Sequence, residues 1–208
     1  MTEAKTHCRL YFQVSAQHSA KLEAQLTRAL DSPGAACVLL YPESNASDAY
    51  CQHLLELVQS RGAACLIADD IALAERLGAD GVHLAADLQT YRDARARLGD
   101  SANIGVFCGL SRHSAMSLAE CGADYVAFGP GREAIDGIDQ YADIIAWWSE
   151  LFVVPCVAWE IDCPADAARL AALGADFVAP SRAIWRGDCA EKRVAEIGGA
   201  VRQARRAA

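Results

Sequence analysis

Eight short apolar runs punctuate the chain, and each is followed by a longer stretch with helical patterning. The runs fall at 9–15, 36–41, 64–69, 81–85, 103–108, 125–129, 153–159 and 177–179. The stretches at 18–31, 47–60, 71–77, 89–98, 111–121, 139–150, 164–173 and 190–206 read as helices. Within the runs the apolar residues are nearly continuous rather than alternating, as in parallel strands covered by helices. Local punctuation agrees: Pro42 stops the second run, and Ser111 is a suitable N-cap for the fifth helix.

A repeat underlies this alternation. Gly78-Ala79-Asp80-Gly81-Val82-His83-Leu84, Gly122-Ala123-Asp124-Tyr125-Val126-Ala127-Phe128 and Gly174-Ala175-Asp176-Phe177-Val178-Ala179-Pro180 are near copies, and Gly34-Ala35-Ala36-Cys37-Val38-Leu39-Leu40 is a weaker fourth. In each, a glycine ends a helix, where the backbone turns left-handed, and a strand begins. The interval of 44, 44 and 52 residues between the glycines is too long for one strand–helix unit and fits two. Four pairs give eight strands and eight helices: an α/β protein, a (β/α)8 TIM barrel, with residues 1–208 as a single domain. Asp80, Asp124 and Asp176 precede strands at the bottom of such a barrel, so their role is structural.

Composition narrows the partners. At 208 residues and 53% hydrophobic, the chain can bury one large core. A net charge of −8 argues against nucleic acid as a partner, since phosphate backbones call for a basic surface. Only the tail is locally basic, with Lys192, Arg193, Arg202, Arg205 and Arg206, and cations there suit a helix C-terminus. No apolar stretch approaches the roughly 18 residues of a membrane span. The first ten residues carry charges and no secretory apolar run, and the nine cysteines show no C-x-x-C pair. A reducing cytoplasm is the expected compartment, with Cys37, Cys65, Cys108 and Cys156 as small buried residues inside strands.

Chemistry in such a barrel sits on the loops after the strands. Those positions here are Ser15, Tyr41, Glu43, Asp69, Asp70, His83, Asp87, Cys108, Arg132, Glu133, Trp159, Glu160, Asp162, Ser181 and Arg182. The rim is rich in carboxylates, and Arg132 and Arg182 are its cations. Asp69 with Asp87 could converge on Mg2+, which favours a small number of carboxylates, while Asp70 suits the cap of the next helix. His83 reads as a packed strand histidine and Cys108 as a thiol lacking a partner base. Trp147 and Trp148 share one helix and read as core plus a packing surface open to homo-oligomer formation.

Leu66-Ile67-Ala68-Asp69-Asp70, the Gly78–Leu84 segment, Ile104-Gly105-Val106 and Gly122-Ala123-Asp124-Tyr125-Val126-Ala127-Phe128-Gly129-Pro130 resemble, in order and spacing, the thiamine phosphate synthase and thiazole tautomerase family. The resemblance covers about 60–184. It implies a barrel that joins an aminopyrimidine diphosphate to a thiazole phosphate, with Mg2+ and a carbocation-like intermediate. Several positions depart from the family pattern. The strand-two Gln-x-Arg-x-Lys aligns with Leu39, Tyr41 and Glu43, and Asn-Asp after strand three is Ala68-Asp69. The serine after strand five aligns with Cys108, and the diphosphate-clamping loop after strand six is Gly131-Arg132-Glu133-Ala134. The glycine pair after strand seven is Trp159-Glu160, and Ile-Ser after strand eight is Ser181-Arg182.

These losses remove cations that would stabilise a departing diphosphate. They predict a diverged barrel without normal synthase activity, binding a small thiamine-related or phosphorylated ligand. The alternative is an active thiamine phosphate synthase, or a relative with an altered substrate, in which Asp69 and Asp87 hold Mg2+. Arg132, Ser181 and Arg182 would then take the anion contacts. The strand-eight end is expected to keep a one-sided anion site at Ser181 and Arg182.

Overall fold

The repeated Gly-Ala-Asp works as a joint between a helix and two strands. Each of its glycines turns left-handed, with φ of 65°, 98° and 108° at Gly78, Gly122 and Gly174. The next residue bonds back into the helix, as in Ala79 N to Ala74 O at 3.0 Å. The aspartate then ties its own strand to the preceding one. Asp80 donates its N–H to Cys65 O at 2.9 Å and accepts Cys65 N–H on its carboxylate at 2.7 Å. Asp124 does the same with Ile104 and Asp176 with Cys156.

The computed structural model describes residues 8–43, 46–130 and 138–204. Its strands are β1 (Arg9–Ala16), β2 (Ala35–Pro42), β3 (Ala64–Ala68), β4 (Gly81–Ala85), β5 (Asn103–Gly109), β6 (Tyr125–Phe128), β7 (Cys156–Trp159) and β8 (Phe177–Ala179). They pair in chain order, all parallel, and β8 returns to β1 to close the barrel. Helices α1 (Ala20–Leu30), α2 (Asp48–Gln59), α3 (Ile71–Leu77), α4 (Leu88–Leu98), α5 (Arg112–Glu120), α6 (Asp139–Leu151), α7 (Pro164–Ala172) and α8 (Ala190–Gln203) follow the strands. The expected TIM barrel is the fold.

Two apolar layers hold it together. Phe12, Leu26, Val38, Leu54, Val82 and Trp148 belong to the layer between strands and helices. Tyr11, Leu39, Leu66, Tyr125, Val157 and Trp159 fill the barrel interior. Trp148 is core, its indole N–H donating to Val154 O at 2.7 Å, whereas Trp147 is partly exposed under the Arg112 guanidinium at 4.5 Å. No disulfide forms among the described residues, and no helix there is long and apolar enough to cross a membrane.

Three differences from the sequence pattern exceed a residue or two. β7 begins at Cys156 rather than 153, because Pro155 has no N–H for the ladder and Val153 is 99% exposed. A 3₁₀ turn at Arg182–Arg186 precedes α8, anchored by Trp185, whose indole N–H donates to Gln13 O at 2.6 Å. Helix α8 ends at Gln203, and Arg205 and Arg206 lie outside the described residues.

The aspartate joint is open to test. Asp124→Ala leaves Ile104 N–H without its acceptor and should destabilise the fold by about 1–3 kcal/mol. For a domain of this size that is a fall in Tm of roughly 2–10 °C. Asp124→Asn, which keeps an acceptor oxygen, should lose less in the same thermal melt.

Candidate active site at the barrel mouth

Alternation along each strand decides what faces the barrel axis. From β1 and β2 come Tyr11, Gln13 and Tyr41, from β4 and β5 His83 and Phe107, and from β6 and β7 Tyr125 and Trp159. These rings form an aromatic floor. His83 stacks on Trp159, with centroids 4.7 Å apart and planes 9° apart, and Phe107 lies 5.8 Å from the same indole. His83 Nδ1 is 2.9 Å from Tyr125 Oη, which is 2.8 Å from Tyr11 Oη. Small residues make room: a Cβ at Gly105 would overlap the Tyr125 ring, and one at Gly129 would meet Trp159 Cβ at 2.6 Å.

The floor is uncharged. Burial lowers the His83 pKa to about 3 and raises those of Tyr11 and Tyr125 well above the usual phenol value. His83 is 5% exposed, and its Nε2 has no hydrogen-bond partner among the described residues. This is the packed strand histidine expected from the sequence.

Above the floor the rim carries carboxylates. Asp69 follows β3 in a left-handed conformation (φ 54°), and its carboxylate accepts Ala85 N–H at 3.2 Å, at the end of β4. Asp87, two residues further on, caps α4 by accepting Thr90 N–H and hydroxyl, both at 2.7 Å. Those bonds hold its pKa below the usual carboxylate range. Asp70 caps α3 through Leu73 N–H at 2.8 Å, as expected. Cys108 is a correction. It sits in the layer between strands and helices, not on the rim, because Phe107 takes the inward register. Burial raises its thiol pKa to about 12, which removes it as a nucleophile. Arg132 and Glu133 lie outside the described residues.

On the β7–β8–β1 side a cleft of about 520 Å³ is lined by Ser15, Glu43, Glu160, Ser181, Arg182 and Arg186, among others. Arg182 crosses it. Its guanidinium lies 4.1 Å over the Tyr41 ring, 4.0 Å from Glu43 Oε1, and donates to Ser15 Oγ at 3.4 Å. Tyr41 donates to Gln13 Oε1 at 3.1 Å, and burial raises its hydroxyl pKa to about 12 although Arg182 pulls it down. Ser181 faces elsewhere: its N–H and hydroxyl donate to the two oxygens of Asp162, at 2.9 and 2.6 Å. The expected pair thus splits, with Ser181 turned to β7 and Arg182 to β2.

The sequence pattern missed part of the floor and the pairing of Asp162 with Ser181. Reading only strand ends overlooks Tyr11, Gln13, Phe107 and Tyr125, which lie one turn of the pleat lower. The every-second-residue rule applied to Tyr11-x-Gln13-x-Ser15 would have found the first of them.

Comparison with known proteins agrees with the fold. The family model described as thiamine monophosphate synthase matches residues 10–184. A thiamine-phosphate synthase of Erythrobacter litoralis is 45% identical over 130 residues, 60% of this chain, and the chain spans about three fifths (61%) of that relative's length. One from Rhodospirillum centenum is 38% identical over 187 residues, covering 86% of this chain and 90% of the relative. Among solved structures, thiamine phosphate pyrophosphorylase from Pyrococcus furiosus superposes with a TM-score of 0.74 at 18% identity, covering 94% of this chain and 96% of that one.

The floor predicts a pH dependence. A histidine with a folded pKa near 3 and an unfolded value near 6.5 takes up its proton first in the unfolded chain. Its contribution is therefore complete above about pH 6.5 and is lost as pH falls toward 3, by roughly 1.4 kcal/mol per unit. Denaturation of wild type and His83→Gln between pH 7.5 and 4 should show a shallower acid slope in the variant. Equal slopes would place the histidine in contact with water.

Proposed function

We propose that this chain, which belongs to the thiamine monophosphate synthase family, is a transferase joining an aminopyrimidine, activated as its diphosphate, to a thiazole. The related synthases favour this reading over a barrel without synthase activity, and one contact in the structure carries it. Tyr41 aligns with the family's strand-two arginine, yet the Arg182 guanidinium lies 4.1 Å over the Tyr41 ring. The cation lost from β2 is thus supplied from the end of β8. A guanidinium there is a forked donor suited to a diphosphate.

The rim suits Mg2+ as well. Among the described residues no three acidic, cysteine or histidine side chains gather into a protein cage. Mg2+ does not require one, because it binds through one or two carboxylates together with substrate phosphates and water. Asp69, directed by its left-handed backbone toward the end of β4, and Asp87 at the start of α4 are the residues that would hold it. Bound there, the ion would neutralise charge developing on the departing diphosphate.

The chain's own groups supply the rest. Arg182 holds the diphosphate at the β2 side, with Glu43 and Ser15 fixing its head. The His83–Trp159 stack and Phe107 close the barrel beneath a flat heterocycle and keep water from rising through the axis. The bond to the thiazole nitrogen forms with that nitrogen's lone pair. The pyrimidine methylene C–O bond breaks, and diphosphate leaves with the electron pair. A second reading, a barrel that binds without turnover, is favoured by Glu43, which puts a negative charge where the family has lysine.

Release of diphosphate from the aminopyrimidine diphosphate, with Mg2+ and either hydroxyethylthiazole or its phosphate ester, separates the two. Turnover is expected, and Arg182→Ala and Asp69→Ala should each lower kcat/KM on the order of 10²-fold. Absence of release with both thiazoles would leave the binding-only reading.

A further inference from the structure

We infer that the acceptor end of the site, between β7 and β8, is built for a thiazole bearing a free hydroxyl rather than a phosphate. The inference rests on the transferase reading for what the acceptor is, and on the structure for which groups it can carry.

Barrels of this kind grip phosphate with N–H groups of the loops after strands seven and eight. Here both donors of Ser181, at the end of β8, are already engaged. Ser181 N–H bonds to Asp162 Oδ1 at 2.9 Å and Ser181 Oγ to Asp162 Oδ2 at 2.6 Å, so one carboxylate takes both. A carboxylate and a phosphate present the same paired oxygens to such donors. Asp162 therefore stands where an acceptor phosphate would bind.

The loop holds it there. Ile161, buried at 4% exposure, donates its N–H to Ala179 O at 3.0 Å, which pins the chain after β7 against β8 one residue before Asp162. The residue before that is Glu160, exposed and left-handed (φ 60°), at a position the family fills with glycine. A phosphate entering here would have to break two hydrogen bonds and then sit beside two carboxylates. Arg182 cannot offset them, because its head is turned to Tyr41, Ser15 and Glu43.

A hydroxyl meets no such obstacle. It donates to a carboxylate oxygen of Glu160 or Asp162 and leaves the Asp162–Ser181 pair intact. The bond-forming step is unaffected, since the thiazole nitrogen supplies the electron pair and diphosphate remains the leaving group. The acceptor's side chain takes no part in that exchange.

The experiment is a calorimetric titration of inorganic phosphate in an Arg182→Ala background, which silences the donor end. Adding Asp162→Asn frees the Ser181 donors and removes one charge, and should raise phosphate affinity at least tenfold. Glu160→Gln, on an exposed residue, should raise it severalfold and serves if a thermal melt shows Asp162→Asn unfolded. Phosphate affinity unchanged by both substitutions would overturn the inference. In parallel, the otherwise wild-type protein should bind hydroxyethylthiazole at least tenfold more tightly than its phosphate ester, and Asp162→Asn should narrow or invert that ratio. Preference of the wild type for the ester would also overturn it. If neither thiazole binds, the transferase reading falls, and the phosphate titration still decides whether Asp162 excludes an anion.

Discussion

The aspartate that starts β4, β6 and β8 is the constraint on which the barrel depends. By exchanging a backbone bond and a carboxylate bond with one residue of the preceding strand, it fixes that pair's register at the bottom of the barrel. The weak fourth copy, Gly34-Ala35-Ala36, lacks the aspartate, and there the β1–β2 register slips between Leu10 and Tyr11. The barrel's closing seam is also its shortest: β1 meets β8 through only Arg9↔Phe177 and Leu10↔Val178. β1 runs eight residues and β8 three, so the end of β1 stands clear of its neighbour, and the cleft with Ser15, Ser181 and Arg182 opens at that seam.

Above this frame the molecule separates charge by height. The floor contains His83, Tyr11 and Tyr125, whose burial disfavours every charged form. The rim contains Glu43, Asp69, Asp87, Glu160 and Asp162, of which Asp69, Asp87 and Asp162 accept backbone N–H groups. Arg182 is rooted at the end of β8 and reaches Tyr41 on β2. Its stack on Tyr41 gives it a fixed resting place that a flexible surface arginine lacks.

The fold was legible because its signals are local. A glycine, an alanine and an aspartate within three residues record a helix end, a turn and a strand start, and they recur. The site was legible only in part. Asp69, Asp70 and Asp87 fall at strand ends and could be picked out by position, whereas Cys108 looked like a rim residue although it lies one place out of register. One residue's shift along a strand reverses which face it serves, and nothing in the apolar run around Cys108 marks that choice. The meeting of Arg182 with Tyr41 was hidden for a different reason. It joins residues 41 and 182, so an aligned column shows a loss at one position and a gain at another, and only space shows that they meet. Boundary errors had plainer causes in Pro155 and Trp185.

Among the described residues, the two non-glycine residues with left-handed backbones, Asp69 and Glu160, follow β3 and β7. In a closed barrel of eight strands these strands lie four apart, on opposite sides of the mouth. Such a conformation is unfavourable for a residue with a side chain, and glycine would adopt it freely. The chain instead places a carboxylate at each. At β3 the turn directs Asp69 to the end of β4, where it accepts Ala85 N–H. At β7 the turn brings Ile161 N–H to Ala179 O and so seats Asp162 on Ser181. Local backbone preference is thus overruled twice, at opposite poles of the rim. In both cases the side chain placed in that conformation is a carboxylate, held on the rim at the end of a strand.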